Sequence, residues 1–292
     1  MKAKINYILD LLYSKELGIL PAGLAFSFVL ALIPMISLTF YLVTTINVSA
    51  DFIMEFIERT FPSGVVSLVQ PVFIENLSIS SLITLILGLI VTINGFSAII
   101  IASNTIYEID NAPIFVRLVK SIVLSIILIV LISFMVVVPL LGNSIINLLS
   151  LLGNFISENE FLVRVIYFIL RVPVALFVVF ILVKLIYIIA PDQHIPSSST
   201  TPGTLFTTIS WVLLTIGFSF YINNIARYDL VYGNLANLVI IMLWFYFLAY
   251  ILVIGMIINK KLVNNSIDKT NTIKLEEIRN KVKNNEKGNL VD

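Results

Sequence analysis

The sequence predicts an all-α polytopic membrane protein, with six transmembrane helices and amphipathic interfacial helices beside them. Three observations lead there. Hydrophobic residues fill 59% of the 292 positions and charged residues only 12%, whereas soluble domains run at about 45–50% apolar and ~25% charged. The apolar residues fall in runs long enough to cross a bilayer, because ~20 helical residues cover a hydrocarbon core about 30 Å thick. Those runs are uninterrupted, which fits helices, since the strands of a membrane barrel alternate over about ten residues.

In chain order, residues 1–20 form a cytoplasmic amphipathic segment. Over 4–17, Ile5, Ile8, Leu9 and Leu12 share a helical face with lysines elsewhere, as in a helix lying in the interface or packed under the bundle. The run from Pro21 to Ile46 is too long for a signal-peptide core, and Asp10 and Glu16 precede it, so it is a retained first span over 22–46. Between 51 and 61, Phe52, Ile53, Phe56 and Ile57 oppose Glu55, Glu58 and Arg59, the pattern of a short amphipathic helix on the outer surface. Further spans follow at 82–106, 118–141 and 172–190. The last two, 203–222 and 235–258, make a hairpin around the loop from Asn223 to Asn234. A polar tail over 261–292 closes the chain, helical around Leu275–Val282. The transmembrane domain is therefore 21–260.

Lysine and arginine placement orients the spans. Lys2, Lys4, Lys15, Arg117, Lys120, Lys184, Lys260 and Lys261 sit on one side, while Arg59, Arg164, Arg171 and Arg227 share the other with many carboxylates. The positive-inside rule puts both termini in the cytoplasm, and an even span count agrees. Composition narrows the chemistry. A net charge of +1 offers no basic stripe for nucleic acid. The absence of cysteine removes disulfides and thiolate sites, and the single histidine, His194, cannot form a multi-histidine metal site. No phosphate loop, HExxH or GxSxG motif appears. The expectation is a protein that is not an enzyme and has no cofactor, metal or catalytic residue.

Polar residues inside apolar runs are the candidates for function, because each is unfavourable in hydrocarbon. Asn94 lies near the middle of the second span, where it lines a path or hydrogen-bonds a neighbouring helix. Asn104, Tyr107 and Glu108 share a face at the end of that span, aimed at one entrance or simply solvated there. Lys184 is the one charge well inside a span, either snorkelling to the interface or facing inward toward an anion. These five are the candidate translocation-path or substrate contacts. Pro34, Pro139 and Pro173 free carbonyls within or at the edges of spans. Tyr221, Tyr228, Tyr232 and Trp244 also fit plain interfacial anchoring.

Several of these segments resemble the YihY/BrkB membrane proteins. Ala25-Phe26-Ser27-Phe28 through Leu32-Ile33-Pro34 is similar to the family's first span, and Asn104-Thr105-Ile106-Tyr107-Glu108 to its Asn-x-Ile-Tyr segment. Pro191-Asp192 through Pro202-Gly203 resembles its cytoplasmic loop. The strongest likeness lies in the hairpin: Phe218, Tyr221, Tyr228, Tyr232, Gly233, Trp244, Gly255 and Asn259. The resemblance implies six helices in the plasma (inner) membrane of a bacterium. It also implies a family whose members carry a ribonuclease label or links to serum resistance and to envelope lipid or solute export. The chain departs from the pattern at Phe26, where the family often has Tyr, and at Gly255-Met256-Ile257, where it often has Gly-Ala-Glu. The missing carboxylate argues against proton or cation coupling through the last helix. The expected function is a transporter or flippase-like protein, with membrane lipids as neighbours and a lipid or small amphipathic solute as substrate. The alternative is a non-transporting scaffold or assembly factor of the cell envelope.

Overall fold

The computed structural model describes residues 15–45, 54–55, 58, 79–150, 160–225 and 227–288. Those residues form helices and short turns, with no strand. The helices are α1 Lys15–Thr45, α2 Ile79–Tyr107, α3 Ile114–Ser150, α4 Glu160–Ile189 and α5 Ser197–Asn224. A short α6, Tyr228–Tyr232, and a 3-10 turn, Gly233–Leu235, lead into α7, Ala236–Gly288. Among the described residues, five stretches are long and apolar enough to cross a membrane: Leu17–Phe40, Ile86–Tyr107, Ile114–Phe134, Ser197–Ile222 and Ala236–Val263. α4 carries a shorter apolar stretch, Pro173–Ile189. It coincides with the expected 172–190, and the preceding half of α4 holds Arg164 and Arg171.

The helices outrun the apolar runs because a helix satisfies its own backbone and need not end at the hydrocarbon boundary. The clearest difference from expectation is α7, 53 residues long and helical to Gly288. The tail, expected to be helical only near Leu275–Val282, is continuous with the last span. The amphipathic helix expected over 4–17 lies outside the described residues except for its last three, which open α1. Of the one expected over 51–61, only 54, 55 and 58 are described, all helical.

Lipid chains are as apolar as leucine, so membrane helices associate through small residues and internal hydrogen bonds. α1 and α2 meet that way. A Cβ on Gly88 would lie 2.6 Å from the Pro34 Cβ, and one on Gly95 would lie 3.3 Å from the Ala31 Cβ. α5 and α7 approach even more closely. A Cβ on Gly203 would strike the Asn259 side chain and the Gly255 carbonyl, and one on Gly255 would strike the hydroxyls of Thr207 and Tyr187. Hydrogen bonds fill the same crossing. The Gly203 amide donates to Asn259 Oδ1 at 2.8 Å. Tyr187 donates to the Leu252 carbonyl at 2.9 Å and pairs with Thr207 at 2.7 Å, so α4, α5 and α7 are joined at one point. Further along, Trp211 Nε1 donates to the Leu248 carbonyl at 2.9 Å.

The core divides in two. One cluster gathers Leu24, Ile100, Ile106, Leu124, Tyr187 and Met256 toward the end where α2 turns into α3. The other gathers Leu32, Val43, Phe218, Ile222, Ile241 and Trp244 toward the opposite end. The outer surface stays apolar, with Ile86 61% exposed, Phe177 62% and Ile216 64%. In water that belt would be an aggregation surface, whereas lipid accepts it.

Gly255→Ala is expected to lower stability in detergent by about 1–3 kcal/mol, the usual effect of overpacking a tight contact. Thermal unfolding would check it, and an unchanged midpoint would mean that α5 and α7 do not touch there.

Candidate functional site

Between the two core clusters lies a cavity of about 200 Å³, neither sealed nor a surface groove. All six long helices contribute to its wall, with Met35 and Thr39 from α1, Gly95 from α2, Leu128 from α3, Leu182 from α4, Trp211 from α5 and Trp244 from α7 among them. The wall is almost wholly apolar. Thr92 directs its hydroxyl to the Gly88 carbonyl at 2.9 Å, and Trp211 Nε1 is held by Leu248. A water molecule needs two to four polar partners, so such a space stays dry, and engineered apolar cavities of ~150 Å³ take up benzene.

A polar knot closes one end of the bundle. Asp192, in the turn after α4, has a side chain only 4% exposed. Its Oδ1 receives Lys120 Nζ at 2.6 Å, and its Oδ2 receives Asn104 Nδ2 at 2.6 Å and the Ala112 amide at 2.9 Å. The Asp192 amide donates back to Asn104 Oδ1 at 2.8 Å. Asn104 also donates to Asn111 Oδ1 at 3.0 Å, and Lys120 to the Pro191 carbonyl at 2.8 Å. Burial alone would push the Asp192 carboxyl up. The hydrogen bonds from Lys120, Ala112 and Asn104, with the ammonium charge of Lys120, outweigh it and hold the group below the usual carboxylate range.

The turn after α2 carries a second tie. Glu108 has a φ of +58°. Its amide reaches the Thr105 carbonyl at 3.3 Å, and the Ile109 amide reaches the Asn104 carbonyl at 2.9 Å, the paired bonds of a helix C-terminus that glycine ordinarily completes. Here the side chain crosses to Lys260 of α7 at 2.7 Å. The hydrogen bond and charge of Lys260 lower the pKa of the exposed Glu108 carboxyl.

The five sequence candidates are thus dispersed, and none is in the cavity wall. Asn94 faces outward on the α2 surface that also exposes Ile90 and Ile101. Asn104 is fully buried in the knot. Tyr107 has a buried hydroxyl without a hydrogen-bond partner. Glu108 bridges to Lys260. Lys184 donates to Thr201 Oγ1 at 2.9 Å and lies 5.7 Å from the Phe180 ring centre, tying α4 to α5. Of the signature residues, Pro34, Gly203 and Gly255 make helix crossings and Trp244 lines the cavity, while Pro191 lends its carbonyl to the knot. Pro202 lies within the early turns of α5. Tyr228 and Tyr232 stack with ring centres 6.0 Å apart, beside the positive-φ Gly233, and Tyr221 is exposed nearby on α5. Sequence reasoning missed Asp192 and Lys120 as site residues. Asp192 lies in the turn after α4 and Lys120 in the first turns of α3, and their pairing leaves no local spacing to read.

Known proteins give a consistent answer. A family model described as Virulence factor BrkB matches residues 12–278. The chain belongs to the BrkB family. It is 29% identical over 244 residues to YfkH of Bacillus subtilis, a protein described as ribonuclease-like, covering 82% of this chain and 87% of that one. A UPF0761 membrane protein of Chromobacterium violaceum is 34% identical over 82 residues, 28% of this chain and 20% of the relative. Another, from Pseudoalteromonas translucida, is 26% identical over 96 residues, about a third of each chain. No solved structure matches. As a BrkB protein, the chain is a multi-pass membrane protein.

Because the folded state holds Asp192 below its unfolded value, the knot stabilises fully above about pH 4. The contribution declines as pH falls below that and is gone once pH passes the depressed value. Asp192→Ala, which strands Lys120 and buried Asn104, is expected to reduce stability by about 2–3 kcal/mol at neutral pH. The loss should vanish in unfolding measurements at strongly acidic pH. Glu108→Gly should leave the thermal midpoint unchanged or slightly raised, because it relieves the left-handed conformation and removes only an exposed ion pair.

Proposed function

We propose that this BrkB protein crosses the bacterial plasma membrane six times, with both termini in the cytoplasm, and acts as a transporter or flippase-like protein for a lipid or small amphipathic solute. The observation that carries this reading is the dry cavity between the two halves of the core, to which every long helix contributes. A purely structural bundle gains most by packing such a space shut, since voids forfeit contact energy on every wall. The closed knot at Asp192 and the Glu108–Lys260 bridge support a state shut on the cytoplasmic side. Pro34, on the cavity's α1 side, supports a helix able to change shape.

Six crossings follow if Pro173–Ile189, extended through the rest of α4, spans with the other five. The lysine distribution supports the orientation. A non-transporting scaffold is the second reading, favoured by the continuation of α7 as a polar helix to Gly288, a natural arm for a partner. The ribonuclease-like description belongs to YfkH, and we do not extend it to this chain. The one histidine, His194, lies in a turn whose carboxylate, Asp192, is already engaged by Lys120, Asn104 and Ala112. We propose that the protein is not an enzyme.

Reconstituted vesicles carrying fluorescent phospholipid or lysolipid analogues are the test. Faster exchange between leaflets than in protein-free vesicles, reduced severalfold by Leu128→Trp in the cavity wall, is the expected result. Exchange equal to empty vesicles for every analogue would remove the transport reading and leave the scaffold.

A further inference from the structure

Polar side chains on an exposed helix surface can satisfy themselves on the carbonyl four residues back. Thr105, exposed near the end of α2, bonds the Ile101 carbonyl at 2.8 Å. Asn224, exposed at the end of α5, bonds the Phe220 carbonyl at 2.8 Å. Asn94 is exposed too, but its side chain makes no hydrogen bond among the described residues. Ten positions separate it from Asn104 of the knot. At ~1.5 Å per residue that is about 15 Å, half of a hydrocarbon core ~30 Å thick. An unpaired amide facing lipid at that depth is unfavourable, since hydrocarbon supplies neither donor nor acceptor.

The residues around Asn94 form a seam. Leu87, Ile90, Asn94, Ser97 and Ile101 recur at alternating steps of three and four, the spacing of a two-helix contact. Leu87 is 58% exposed and Ile90 50%, while half-buried Ser97 is small enough to let a second backbone approach. Thr92, Gly95, Phe96 and Ile99 occupy the other side of the helix and wall the cavity, so the seam points away from the bundle.

We infer that this face of α2 pairs with the same face of a second copy of the chain, Asn94 hydrogen-bonding its counterpart across a two-fold axis. A primary amide carries donor and acceptor together, so its electrostatic complement is another amide. A second copy in the same membrane orientation brings one to the same depth. A two-fold along the membrane normal then sets each seam residue against its counterpart. One polar residue in an otherwise apolar seam also fixes the register and holds the number of strands at two. The pairing is independent of the transport reading, because seam and cavity lie on opposite sides of α2.

The absence of cysteine from the sequence makes the test direct. Full-length single-cysteine variants Leu87→Cys, Ile90→Cys and Ile101→Cys would be oxidised in membrane vesicles with copper phenanthroline. Each is expected to give a disulfide-linked dimer, since a close two-fold crossing brings counterparts within the ~4.4–6.8 Å Cα separation that a disulfide needs. Leu89→Cys, exposed on α2 but off the seam, and Ile216→Cys on α5 should stay unlinked. Energy transfer between labelled copies, followed as the protein is diluted with lipid, gives the dissociation constant. Asn94→Leu should weaken the dimer about three- to tenfold, the usual effect of amide hydrogen bonds between membrane helices. Asn94→Gln, which keeps the amide, should retain it. The thermal midpoint of the diluted Asn94→Leu monomer should be unchanged, which separates lost pairing from lost folding.

No linkage from the seam positions, or equal linkage from Leu89→Cys and Ile216→Cys, overturns the inference. So does an Asn94→Leu protein that dimerises as tightly as the natural chain. A lowered monomer midpoint would give the amide a role inside the fold and sink the pairing as well. Linkage of the seam to a different membrane protein, in place of a second copy, would give the face to that partner and overturn it too.

Discussion

Hydrocarbon offers no hydrogen bonds, and the arrangement of this bundle follows from that. Every polar group between the ends must find its partner inside the protein. Most intramembrane hydroxyls do so within their own helix, as Ser121 and Ser125 do on α3. Where helices must be joined, the partner is a backbone carbonyl or amide exposed by glycine. Gly255 lets Tyr187 and Thr207 reach the α7 backbone, and Gly203 brings its amide to Asn259. These crossings fix three of the six long helices against one another without any charged residue.

Charges are accordingly moved to the ends, and at the end where α2 turns into α3 they do a different job. Asp192 collects donors from α2, the turn after it and α3, so the turn following α4 is pinned to the far side of the bundle. Glu108 reaches Lys260 from the neighbouring turn. The end is therefore held by electrostatics, while the middle is held by close packing. Near-complete burial of Asp192 makes its ties much stronger than the exposed Glu108 pair.

The fold was largely legible because the relevant signal is local. A run such as the one within Ile114–Phe134 declares a helix by composition alone, and Pro202-Gly203 with Gly255 marks close crossings. The end of α7 was not legible, because polarity says where hydrocarbon stops and not where a helix stops. The site was harder still. Asn94 and Lys184 drew notice as polar residues at depth, yet Asn94 faces outward and Lys184 meets Thr201. The cavity itself is made by apolar side chains whose sequence looks like any other core, and only the three-dimensional gap between two clusters distinguishes them.

The departure at Ile257 gains meaning from this arrangement. In place of the carboxylate that the family resemblance led one to expect, an apolar side chain packs against the core cluster beside Met256. On its other side α7 presents an uncharged face from Trp244 through Leu252 to Gly255, which walls the cavity and meets Tyr187. A carboxylate at 257 would have to be satisfied outside the cavity, since Ile257 is not in its wall. The buried carboxylate that the described bundle does keep, Asp192, lies in the end turn, where Lys120 and two amides satisfy it. The apolar cavity and the polar end are thus segregated along the axis, and the ties that hold the end share no residue with the cavity wall.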